Sequence, residues 1–130
     1  MSRKVFAALV TALLAASATA HAHHSHANYD ITKWIVVEGT VKQVVFIAPH
    51  SLVYLDVKNA KGETVVWALE ATAPAGIFGN GVGREDVRPG DHIQARCHQL
   101  RDNADGCLLG FITPLHGDAA RGNGIEREWD

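Results

Sequence analysis

"KWIVVEGTVKQVVFI", Lys33 to Ile47, puts Val37, Gly39 and Val41 on one side and Glu38, Thr40 and Lys42 on the other. A period of two with Val and Ile dominant marks a long strand with one buried face. The alternation slips where Val44 and Val45 stand side by side before Phe46. One extra residue near Gln43 explains that slip, so a β-bulge or sharp bend is predicted there.

Reading outward, "APHS", Ala48 to Ser51, breaks the run. "LVYLDVKN" then resumes it, with Leu52, Tyr54 and Asp56 opposite Val53, Leu55 and Val57. "NAKGE", Asn59 to Glu63, is a hairpin signal with Gly62 available for a positive φ. "TVVWALE", Thr64 to Glu70, completes a three-strand meander. The stretch from Ala71 to Asp91 holds five glycines and two prolines, which limits it to a short helix near Ala75 to Phe78. Pro89-Gly90-Asp91 turns the chain into "HIQARCHQL", where Ile93, Ala95 and Cys97 face inward and His92, Gln94, Arg96 and His98 face outward. "CLLGFIT" returns with Cys107, Leu109 and Phe111 expected on the inner face. Three strands, a Gly-rich connection with a short helix, then a two-strand hairpin is the order of a five-stranded OB-fold-like barrel, spanning residues 34–115, with another small β-barrel or open sandwich as the alternative. Residues 116–130 show no strand pattern and are expected to be a loose tail.

The opening residues limit compartment. Arg3 and Lys4 precede an apolar stretch, Val5 to Ala16, that closes on small residues, which is the layout of a cleaved signal peptide over residues 1–22. The apolar run is shorter than the roughly 20 residues of a membrane span. Cleavage after Ala22 makes His23 the mature terminus; Ala18 and Ala20 are alternative sites. Of the 12 basic residues, Arg3 and Lys4 leave with the signal, so 10 face 14 acidic ones and the mature chain is net negative. That balance argues against a nucleic-acid binder, while the signal-peptide layout and the lack of any later apolar stretch of membrane length point to a periplasmic or secreted protein with no membrane span once processed. In such a compartment Cys97 and Cys107, on the same inward register of one predicted hairpin, are expected to form a cross-strand disulfide; two buried free thiols are the alternative.

The segments "HHSHANYD", "VEGTVKQVVFIAPHSLVYLDV", "WALE" and "RPGDHIQARC" together resemble an exported bacterial family catalogued as domain of unknown function 6152. Its motifs fall on His23, His24 and Ser25, on Glu38 to Val41, on Pro49 and His50, on Trp67 and Glu70, and on Pro89 to Asp91. The likeness extends to about Thr113. Ala48 replaces the family's usual Asn, and His26 stands where an aromatic residue is more common. The resemblance supports fold and export and leaves the mechanism open.

Four of the eight histidines lie in six residues, His21 to His26. Cleavage after Ala22 frees an amine on His23 that can chelate with its own imidazole and a second His; cleavage at either earlier site puts a His at position three. Both arrangements suit Cu(II). The shared family motifs extend the candidate metal set to His23, His24, His26, His50 and Glu70, with His50 in a turn and Glu70 at a strand end near it. Against this stand plainer roles: a solvated His-rich tail within residues 23–33, a turn-capping His50, a rim carboxylate at Glu70, a core or rim Trp67, and solvated His92 and His98. Trp67 is the candidate ligand contact if the barrel is instead a metal-independent module for a protein, peptide or glycan. No HExxH, P-loop or dinucleotide fingerprint occurs, and the protein is read as a non-enzyme with an envelope or metal-handling partner.

Overall fold

The computed structural model describes residues 26–130. Its strands are β1 (Ile35–Val45), β2 (Ser51–Lys58), β3 (Thr64–Ala71), β4 (His92–Gln99), β5 (Gly106–Pro114) and β6 (Arg127–Glu128), with one short helix, α1 (Pro74–Gly79), between β3 and β4. They follow the order β3-β2-β1-β4-β5-β6, and a parallel β3–β5 pairing closes the first five into a barrel. Closure leaves few free edges in a small domain.

β1 serves both halves of the barrel. Its first part, Ile35 to Thr40, pairs with β4, and its second, Thr40 to Val45, pairs with β2. The register with β2 slips between Val41 and Gln43, a bulge that bends the strand from one neighbour to the other. Val37, Val41, Val53, Leu55, Leu69, Ile93 and Ala95 fill the interior. Gly39 sits among them where a Cβ would collide with the Asp56 carbonyl, so the β1–β2 approach requires its missing side chain. Gly62 takes φ +77° in the β2–β3 hairpin, whose Asn59 side chain accepts from the N–H groups of Lys61 and Glu63.

Cys97 and Cys107 are joined, with Cα atoms 5.8 Å apart, and both are fully buried. The pair is diagonal rather than directly opposed: Cys97 faces Leu109, and Gln99 faces Cys107. Phe111 does not point inward as its parity with Leu109 suggests. The β4–β5 register shifts so that Cys97 pairs with Leu109 while Arg96 pairs with Phe111, and the extra residue, Gly110, resets the alternation. Ile112 therefore enters the core, and Phe111 packs outside against Trp34 and Arg96.

The segment after His116 is not a loose tail. Asp118 caps the turn Ala119–Arg121, Arg121 pairs with Asp91 and donates to the Glu85 carbonyl, and β6 pairs with β5. Trp129 is only 1% exposed and joins the core. Its N–H donates to the Gly110 carbonyl and its carbonyl accepts from the Thr72 N–H, so one residue bridges the gap where β3 and β5 diverge. The absence of alternation in this stretch concealed a plug: one large aromatic ring supplies the burial that a patterned strand would otherwise spread over several residues.

Candidate functional site

The bend between β1 and β2 carries His50, and β3 ends beside it. Because Ser51 pairs with Ala71 and Leu52 with Glu70, the β2–β3 register sets His50 next to Glu70. Leu69 and Ala71 point into the core, so Glu70 points to the outer side. His50 Nδ1 lies 3.3 Å from Glu70 Oε1, and both side chains are partly open to solvent.

The other oxygen of Glu70 has a partner that sequence reasoning missed. Tyr29 donates its hydroxyl to Glu70 Oε2 at 2.6 Å across a separation of 41 residues. Burial, the hydrogen bond and the carboxylate charge all raise the phenol above its ordinary pKa, so it remains the donor throughout the physiological range. The only local sign was an aromatic residue just after the His cluster, and nothing in the spacing names its carboxylate.

Tyr29 is held from behind. It bridges to Leu100, the Asp30 N–H donates to the Gln99 carbonyl, and the Arg101 N–H donates to the Asn28 carbonyl. Arg101 Nε reaches the Ala27 carbonyl at 3.1 Å, and His26–Asn28 forms a 3-10 turn whose His26 is exposed. From His26 onward, the expected flexible terminus is therefore a docked segment. The signal peptide, the cleavage site, His23 and His24 lie outside the described residues. Among the described residues, no group of three His, Cys, Asp or Glu side chains converges on one point. His50 and Glu70 supply two donors.

The remaining candidates fall elsewhere. Trp67 has the inward parity of Leu69 and packs half-buried against the core rather than offering an outer-face contact. His92 pairs with Glu38 at 2.7 Å beside an open groove of about 540 Å³ that Asp56, Lys58 and Thr64 also line. His98 bonds the Lys33 carbonyl through Nδ1 at 2.6 Å and packs on Trp34 at 3.8 Å between ring centroids. His92 is exposed on the outward face as expected, while His98, on the same face, is half-buried under Trp34. Arg96 lies over both Trp34 and Phe111 and pairs with Glu126, forming an aromatic cluster on the outer side of the barrel.

The family of unknown function DUF6152 matches residues 10–108, a stretch that holds the N-terminal histidines, His50, Tyr29 and Glu70. The chain belongs to that family. The DUF6152 match ends within β5, so β6 and the Trp129 plug lie beyond it. No curated protein and no solved structure matches the chain. Among the described residues, no helix is long and apolar enough to cross a membrane.

Proposed function

We propose that this DUF6152 protein is an exported, non-catalytic metal-binding barrel. Its His-rich processed terminus and the His50–Glu70 pair together hold Cu(II), as a buffer, carrier or accessory to a metal-handling partner in the cell envelope. The observation that carries this reading is the 3.3 Å separation of His50 Nδ1 and Glu70 Oε1. Two donors about 2.1 Å from one ion stand about 3.0 Å apart at a right angle and about 3.4 Å apart at a tetrahedral angle. The pair thus has the bite of a first-row metal with little movement. Imidazole and amine nitrogens favour Cu(II) over the other divalent ions. Export is supported by the leader-like residues 1–22 and by a buried disulfide of the kind that persists in oxidising compartments.

The test is a Cu(II) titration of processed, tag-free protein against a competing chelator, with intact mass fixing the cleavage site. Tight one-to-one binding that weakens in His50→Ala and Glu70→Gln is expected. Weak binding that ignores both changes, and also ignores His23→Ala and His24→Ala, sinks the proposal.

The alternative, a metal-independent module for a protein, peptide or glycan, is favoured by the outer surface around Trp34, where Trp34 is 48% and Val36 59% exposed. It predicts a partner whose retention is insensitive to chelator and is lost in Trp34→Ala.

A further inference from the structure

We infer that the cleft between the β4–β5 hairpin and the segment leading into β1 binds a small zwitterion, a free α-amino acid with an aliphatic side chain. The cleft holds about 260 Å³ and is lined on one side by Asp30, Lys33 and Ile35 and on the other by Leu100, Arg101 and Asn103. That volume suits a small molecule rather than a chain. Backbone bonds brace the two walls. The Asp30 N–H donates to the Gln99 carbonyl at 2.9 Å, the Arg101 N–H to the Asn28 carbonyl at 2.9 Å, and the Asn103 N–H to the Leu100 carbonyl at 3.0 Å. A ligand therefore enters a site that is already formed and is spared the cost of ordering it.

The charges in the cleft decide the class of ligand. Arg101 Nε donates to the Ala27 carbonyl at 3.1 Å, which fixes the guanidinium, and its two terminal nitrogens have no hydrogen-bond partner among the described residues. Two parallel N–H donors of this kind take a carboxylate through both oxygens. Lys33 adds a second cation, 3.8 Å from Asp30 Oδ2. Asp30 is the opposite pole. Its Oδ1 accepts from the Thr32 hydroxyl at 2.5 Å and from the Thr32 N–H at 3.2 Å. Those bonds, with the charges of Lys33 and Arg101, outweigh desolvation and hold the carboxyl below its ordinary pKa, so it is ionised.

A bare organic anion entering this cleft would meet Asp30, and a bare amine would meet Lys33 and Arg101. An α-amino acid carries both charges on one carbon and answers both poles at once. The Arg101 charge is felt at the Asp30 carboxylate, so the poles face the same small volume. Ile35 and Leu100, both half-buried, supply the apolar lining for a side chain. None of these residues belongs to the proposed metal set, so the two readings stand or fall separately.

The test truncates the ligand as well as the protein. L-Leucine is titrated into processed, tag-free, isotope-labelled protein and followed by amide chemical shifts, beside isocaproate, which lacks the amine, and isoamylamine, which lacks the carboxylate. Leucine should shift the amides of residues 30–33 and 99–103 and bind at least about 10-fold more tightly than either truncated form, each of which leaves one charged pole unpaired. Arg101→Gln and Asp30→Asn should each weaken leucine binding by about 10-fold or more. Because Arg101→Gln also removes the Ala27 contact, Lys33→Gln serves as a second variant, and it too should weaken binding. Isocaproate binding as tightly as leucine would overturn the zwitterion, and no shift at the cleft in millimolar leucine would overturn the site.

Discussion

The indole of Trp129 stacks on Phe46 with ring centroids 6.1 Å apart and planes 20° from parallel. This joins β6's end to the bend after β1. Phe46 also meets Phe78 of α1 at 5.1 Å, and Arg84 covers both phenyl rings. One end of the barrel is therefore sealed by side chains from four separate parts of the sequence.

Trp129→Ala should remove most of that seal. Truncating a fully buried aromatic typically costs about 3–5 kcal/mol, and here the vacated space opens onto the core. Chemical denaturation should show a lower midpoint. A loss under about 1 kcal/mol would mean that the segment contributes little to the fold.

The disulfide closes a short loop, its cysteines separated by 10 positions in sequence. Chain-entropy arguments give about 2 to 3 kcal/mol for a loop of that size. Cys97→Ala with Cys107→Ala should therefore unfold at lower denaturant while retaining the strand signature in circular dichroism, because the diagonal pair is surrounded by apolar neighbours that remain.

Two glycines should differ sharply when changed to Ala. At Gly39 the new Cβ meets the Asp56 backbone, which cannot move without breaking the β1–β2 ladder. At Gly110 its nearest neighbour is the half-exposed side-chain ring of Trp34 at 2.6 Å, and the closest backbone atom, the Arg96 carbonyl, is farther off at 3.3 Å. Overpacking costs of about 1–3 kcal/mol belong at Gly39. Gly110→Ala should cost less and should show as a shift in Trp34 fluorescence. Equal melting temperatures for the two variants would contradict this.

Acid stability should depend on Asp91. Partial burial pushes this carboxylate's pKa up, but the hydrogen bonds from Arg121 and from the Arg88 N–H, with the Arg121 charge, prevail and hold it below the ordinary value. A carboxylate with a depressed folded pKa stabilises the protein above its unfolded pKa of about 3.9 and loses that contribution as pH falls through the folded value. Asp91→Asn should thus be less stable than wild type at neutral pH, and the gap should close as the solution is acidified. A gap that stays constant down to pH 3 would remove Asp91 from the acid response.

The barrel was legible because its strands carry their burial in a period of two. Val37, Val41, Val53, Leu55, Ile93 and Ala95 recur at every second position along their strands or at multiples of two, and even the β1 bulge announced itself in the doubled Val44–Val45. Phe111 and Ile112 were exchanged because Gly110 makes its bulge without disturbing the local pattern: an apolar run reads equally well in either register. Trp129 and Tyr29 were out of reach for a different reason. Each is a single aromatic in a segment without periodicity, and its partners, Phe46 and Glu70, are chosen by the closed shape of the barrel rather than by neighbours in sequence. His50 and Glu70 came together as expected because a three-strand meander returns the end of β3 to the start of β2.

The strand-bridging position of Trp129 also bears on the order in which the molecule can be made. A chain emerging amino end first has laid down all five barrel strands by Pro114, yet the Gly110 carbonyl and the Thr72 N–H still lack their partner until residue 129 follows. Until then a gap in the wall exposes backbone groups and an empty aromatic socket, the kind of open edge that invites mispairing. Completion therefore waits for residue 129, and a chain stalled short of it would be a target for proteases or chaperones instead of a nearly finished barrel.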